Sequence, residues 1–230
     1  MSVKTAYLFA YNAFCTLAWA YTLFLALTAL SSADDVFEFV KSGRFYEAVH
    51  VPLKLAQTVA IMEIIHAASR LVRSPVTTTF LQVFSRVGIL WLVCYPAPES
   101  MRQVGFASMV LAWSLVECIR YPYYALSLLQ AVPSALTWLR YSAFIVLYPL
   151  GIASEISCIF ASVPSLQKSQ TWSVSMPNKY NLPLQWSSVV VAISLLYLPG
   201  SPVMFGHMLR QRGKYLNGAK VDKADKKKAH

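Results

Sequence analysis

Long apolar runs alternate with short polar breaks from the first residues almost to the end of the chain. A bilayer core of about 30 Å needs roughly 20 apolar residues per helix, and six runs approach or reach that length. They cover about 7–30, 52–71, 80–94, 104–126, 135–163 and 184–204, the third being the shortest. The breaks between them, "SSADD", "RSP", "YPAPES", "AVPS" and "MPNKYNLP", are rich in turn formers. The pattern predicts an all-α integral membrane protein, a bundle or barrel of six transmembrane helices forming one membrane domain over 1–209 without internal repeats. A basic tail fills 210–230.

Composition agrees with this pattern. The 230 residues are 57% hydrophobic and 13% charged, with a mean hydropathy of +0.48, too apolar for an ordinary water-soluble domain. The first run is longer than the apolar part of a cleavable signal and lacks a small-residue cleavage site. The net charge of +10 does not point to nucleic acid, because eight of the twenty Lys and Arg residues lie in the polar tail from Arg210 onward, where Tyr215 is the single aromatic. An even number of spans puts both termini on one side, and the tail assigns that side to the cytosol. The final Lys227-Lys228-Ala229-His230 resembles the dilysine retrieval signal of endoplasmic reticulum membrane proteins. The four cysteines, Cys15, Cys94, Cys118 and Cys158, are far apart and show neither disulfide nor metal-site spacing.

Ionisable residues at membrane depth are costly unless paired, so each is a candidate for function. In the fifth run, Tyr148 and Glu155 are seven residues apart. That separation puts them within roughly 20° of one helix face and about 10 Å apart along the axis. Pro149 beside them removes a backbone donor. In the fourth run Glu117 and Arg120 are three apart, the spacing of an intrahelical ion pair. The predicted topology points Arg86, Arg120 and Arg140 toward one cytosolic mouth, where guanidinium forks suit a phosphate-bearing head group. Glu63 and His66, "EIIH", read as a buried polar contact. No hydrolase, nucleotide-loop or metal motif appears.

Six blocks carry a family resemblance: "PLKLAQTVAIMEIIHAASRLVRSPV", "LQVFSRVGILW", "WSLVECIRYPYY", "LRYSAFIVLYPLGIASE", "SVSMPNKYN" and "YLPGSPVMFGHMLRQR". In this order they resemble the very-long-chain (3R)-3-hydroxyacyl-CoA dehydratases, also called protein tyrosine phosphatase-like A proteins, with the plant branch expected to be nearest. The resemblance implies a multi-pass endoplasmic reticulum protein with cytosolic termini. It implies a hydro-lyase (lyase) that converts (3R)-3-hydroxyacyl-CoA to trans-2-enoyl-CoA, the third step of fatty acid elongation. The family's tyrosine and glutamate fall on Tyr148 and Glu155, and its supporting positions on Arg86, Glu117, Arg120, Tyr121, Arg140, Gly151 and Ser154. No cofactor or metal is implied, since coenzyme A arrives as part of the substrate. The expected partners are that substrate, membrane lipid, and the condensing enzyme, ketoacyl reductase and enoyl reductase of elongation. The residues leave open which of the pair is the base, and whether an arginine, Ser154 or a backbone N–H stabilises charge on the thioester oxygen. An inactive scaffold of the elongase complex and a membrane transporter are the competing readings. Acyl chain length, oligomeric state and any signalling role are not encoded in a readable form.

Overall fold

The computed structural model describes residues 1–177, 179 and 182–228, with side chains through Leu216. Its elements are α1 (Val3–Ser31), α2 (Val36–Lys41), α3 (Arg44–Val59), α4 (Met62–Ala68), α5 (Val76–Gly88), α6 (Val104–Leu128), α7 (Ser134–Ser142), α8 (Phe144–Ser169), α9 (Trp186–Ser194) and α10 (Tyr197–Lys228). A π-helical stretch, Ile89–Cys94, prolongs α5, and a 3₁₀ turn, Pro98–Met101, precedes α6. Among the described residues the sole extended pairing is an isolated bridge between Val174 and Leu184. Asn178, Tyr180 and Asn181 of the "MPNKYNLP" break, and Ala229 and His230 of the dilysine-like end, lie outside the described residues, as do the side chains of Lys227 and Lys228.

Six helical segments are long and apolar enough to cross a membrane: Val3–Ser31, Arg44–Ala68, Val76–Cys94, Val104–Leu128, Phe144–Ser169 and Trp186–Leu216. The protein is an all-α six-helix membrane protein. Its second segment begins at Arg44, ahead of the apolar run that starts at Pro52, because Pro52 sits inside α3 instead of opening a helix. The fifth divides at Ala143, so residues 134–142 form the separate helix α7.

The interior shows why these helices assemble. The buried face of α1 is Leu8, Asn12, Cys15, Trp19, Thr22, Ala26 and Ala29, alternating steps of four and three that keep one seam on its neighbours. Polar members of α1 are satisfied by its own backbone: Asn12 Nδ2 donates to Leu8 O at 2.7 Å, and Thr22 Oγ1 to Ala18 O at 2.8 Å. Helix α6 lies at the centre, packed by α1, α3 and α8, with half of its most apolar stretch buried. The outermost helix, α10, runs along α7, α8 and α9.

Two local features position the site. The π-helical stretch starts just beyond Arg86, and its Leu92 carbonyl accepts the Trp186 indole N–H at 2.8 Å, which ties α9 to it. Between α9 and α10 the chain breaks at Leu195 and Leu196, because Pro199 cannot donate to the Leu195 carbonyl. The break makes Tyr197 the first residue of α10 and turns it toward α8.

Candidate active site

Tyr148, Gly151 and Glu155 share one face of α8, which looks onto α10. Glu155 is 8% exposed, and both of its carboxylate oxygens are held: Trp113 Nε1 of α6 donates to Oε1 at 2.9 Å, and Tyr197 OH of α10 donates to Oε2 at 2.6 Å. Two turns earlier, the half-buried Tyr148 ring stacks at 6.3 Å on Phe205 of α10, with its hydroxyl directed at Ser201. Tyr197, Ser201 and Phe205 follow one another at four-residue steps, so one face of α10 meets one face of α8. Gly151 leaves space in this seam, since a methyl group there would meet no atom within 4 Å. Two cavities lie elsewhere, one of about 170 Å³ between Gly43 and Arg102 and one of about 290 Å³ beside Val163 and Ser187.

Ser154 is on α8 but turns away from the seam. Its Oγ donates to Leu150 O at 2.7 Å and shares a hydrogen bond of 2.7 Å with Ser108 Oγ of α6. It joins α8 to α6.

Next to the pair is a four-charge network. Arg86 pairs with Glu117 Oε1, and Arg120 Nε bonds Glu117 Oε2 at 2.6 Å. Arg120 also grips Glu63 bidentately, Nη1 to Oε2 at 2.7 Å and Nη2 to Oε1 at 2.8 Å, while Tyr121 OH donates to Glu63 Oε1 at 2.5 Å. Two carboxylates and two guanidinium groups cancel, which is how four charges persist at membrane depth. The network reaches the pair through Trp113: the Arg86 guanidinium lies 5.9 Å from its indole centroid, and the same indole donates to Glu155.

The Glu117–Arg120 pair is therefore present, as half of a larger set. Glu63 and His66 do not contact each other in the way their spacing suggested. Glu63 joins Arg120 and Tyr121, while His66 Nε2 meets Tyr7 OH at 2.8 Å. The three arginines lie along one chain of contacts: Arg86 and Arg120 share Glu117, and the Arg120 and Arg140 guanidinium groups lie 5.8 and 5.7 Å from the Tyr124 ring centroid. Arg86 lies about halfway along its segment and, like Arg120, is neutralised, whereas Arg140 on α7 meets Tyr124 OH at 3.2 Å without an ion pair. Sequence reasoning did not single out Trp113 or Tyr197, although both lie in the quoted blocks. Among the described residues no three His, Cys, Asp or Glu side chains are grouped to hold a metal ion.

The chain is thus a polytopic membrane protein, a helical bundle that holds a buried carboxylate between two donors with a phenol two turns away on the same face. Residues 57–218 match the family described as protein tyrosine phosphatase-like protein, PTPLA, and the chain belongs to that family. It is 39% identical over 219 residues to very-long-chain (3R)-3-hydroxyacyl-CoA dehydratase PASTICCINO 2 of Arabidopsis thaliana, covering 95% of this chain and 96% of the relative. It is also 39% identical to the dehydratase hpo-8 of Caenorhabditis elegans, covering 97% of this chain and 100% of the relative. Human dehydratase 2 is 36% identical, with 94% of this chain and 82% of the relative covered. Equal identity to plant and nematode relatives does not single out the plant branch. No solved structure matches.

Proposed function

We propose that this protein is a very-long-chain (3R)-3-hydroxyacyl-CoA dehydratase, a hydro-lyase, in which Glu155 is the base and Tyr148 the acid. The observation that carries the roles is the clamp on Glu155. An indole N–H only donates, so Oε1 must accept, and the Tyr197 hydroxyl donates to Oε2. A carboxyl group that accepts on both oxygens is suited to the ionised form, which is the form that takes a proton. Tyr148 has a phenol proton to give and sits on the same face.

In the reaction Glu155 removes the proton from C2 of the bound thioester. Those electrons form the C2–C3 double bond, the C3–O bond breaks, and Tyr148 protonates the departing hydroxyl to give water. Glu155 ends protonated and Tyr148 ends as phenolate, and one net proton transfer between them restores the site. Each positioned proton-transfer group contributes about 10² to 10⁴ in rate. Ser154 is poorly placed to stabilise the thioester oxygen, because its hydroxyl is engaged with Leu150 O and Ser108. The acyl chain lies in the α8–α10 seam, where Gly151 leaves space for it.

On this reading the protein acts at the third step of very-long-chain fatty acid elongation, in the endoplasmic reticulum membrane with both termini cytosolic. The enzymes that supply its 3-hydroxyacyl-CoA and consume its enoyl-CoA are its natural partners. Purified protein incubated with defined (3R)-3-hydroxyacyl-CoAs should release trans-2-enoyl-CoA, detected by mass. Substrate left unchanged at every chain length would end the proposal.

A further inference from the structure

The arginines near the site are of two kinds. Arg86 and Arg120 are neutralised by Glu117 and Glu63. Arg140 and Arg212 are held by neutral hydroxyls instead: Arg140 Nη2 donates to Tyr124 OH at 3.2 Å, and Arg212 Nε donates to Ser142 Oγ at 3.1 Å. Among the described residues neither guanidinium forms an ion pair. Each therefore keeps its full charge and most of its five donors for something else.

One residue after Arg140 and three after Arg212, the rings of Tyr141 on α7 and Tyr215 on α10 stack at 4.4 Å and 13°. Tyr215 is 48% exposed, so its outer ring face is free. Two unneutralised guanidinium groups beside an exposed aromatic face fit a ligand that has both phosphates and a flat base. A phospholipid head group would use the charges and leave the ring face idle.

The position fits as well. Arg140 is 8 residues before Tyr148 and 15 before Glu155 along α7 and α8, or roughly 12 to 22 Å at helical rise. A pantetheine arm has about a dozen single-bond steps between sulfur and phosphorus and extends roughly 15 Å. A thioester at the catalytic pair thus puts its phosphates at the level of α7 and the facing part of α10.

We infer that α7 and α10 form the subsite for the phosphorylated adenosine head of coenzyme A, with Arg140 and Arg212 on its phosphates and the outer face of Tyr215 against its adenine. This rests on the dehydratase reading for the thioester, and it moves the anion-binding role from Arg86 and Arg120 to α10.

The test compares the detergent-purified full chain with its Arg140→Gln, Arg212→Gln and Tyr215→Leu variants on two substrates. One is a 3-hydroxyacyl-CoA, and the other is the matching 3-hydroxyacyl pantetheine thioester, which lacks phosphates and adenosine. In the variants KM for the CoA substrate should rise about tenfold or more, the effect of losing one good contact. KM for the pantetheine substrate and kcat for both should stay within about twofold. An unchanged KM for the CoA substrate, or an equal rise on both substrates, overturns the assignment. Equilibrium binding of 3′-phospho-ADP separates the subsite from the chemistry. Wild-type binding that is lost in Arg212→Gln supports the subsite even if no substrate turns over, whereas absence of wild-type binding overturns it. If the variants lose affinity for anionic lipid in nanodiscs but not for 3′-phospho-ADP, the occupant is the bilayer and the inference fails.

Discussion

Both oxygens of Glu155 accept hydrogen bonds, and the two donors come from different helices, so the carboxylate is fixed in place without a counter-ion touching it. Replacing Tyr197 by Phe removes one donor and little volume. It should lower kcat by roughly tenfold to a hundredfold, as loss of a supporting hydrogen bond commonly does, with KM little changed; a wild-type kcat would show that Tyr197 does not support Glu155 in the proposed reaction. Trp113 and Tyr197 were not legible in the sequence. An aromatic residue inside an apolar run reads as packing or as lipid-facing, and its one polar atom reveals a partner only when a distant helix is placed beside it. The Tyr148 and Glu155 spacing was legible because helical winding alone puts residues seven apart on one face. The buried network has a separate effect. Glu117 is 1% exposed and serves both Arg86 and Arg120, so Glu117→Ala leaves two guanidinium groups short of a partner. Thermal or denaturant unfolding in detergent should show a loss of about 3 to 5 kcal/mol, and an unchanged midpoint would contradict the network's structural role.

At the scale of elements, α8 has two different faces. One carries Tyr148, Gly151 and Glu155 toward α10, and the other carries Ser154 toward Ser108 of α6. The two faces predict opposite outcomes for neighbouring substitutions. Gly151→Leu meets open space at its first carbon, so the protein should fold and melt normally while the filled seam excludes substrate and turnover is lost. Ser154→Ala should cost about 0.6 kcal/mol, the usual size of a side-chain hydrogen bond between membrane helices, and retain turnover. A normal rate in Gly151→Leu, or an inactive but stable Ser154→Ala, would reverse the assignment of the faces. The apolar runs located the membrane helices, but not where they begin and divide. Pro52 resembles a helix start yet lies within α3, and the fifth run contains the boundary between α7 and α8, where hydropathy does not change sharply.

Over the whole molecule, charge is sorted by depth. Arg86, Glu117, Arg120 and Glu63 pair inside the bundle around α6, whereas Arg140 and Arg212, held by hydroxyls, stand at α7 and α10, toward the end that bears the C-terminal tail. This arrangement suits a substrate whose acyl part enters the seam and whose charged head remains at that end. The positions of the arginines along their helices were readable from spacing, whereas their partners, Glu117 and Glu63 for two of them and Tyr124 for Arg140, are a tertiary matter. The central claim, that Glu155 and Tyr148 jointly dehydrate a bound 3-hydroxyacyl thioester, is tested most directly by turnover of purified Glu155→Gln and Tyr148→Phe, with substrate binding measured in parallel. Each variant should still bind the acyl-CoA but lose at least about 10²-fold in kcat. A wild-type rate in either one would contradict the account.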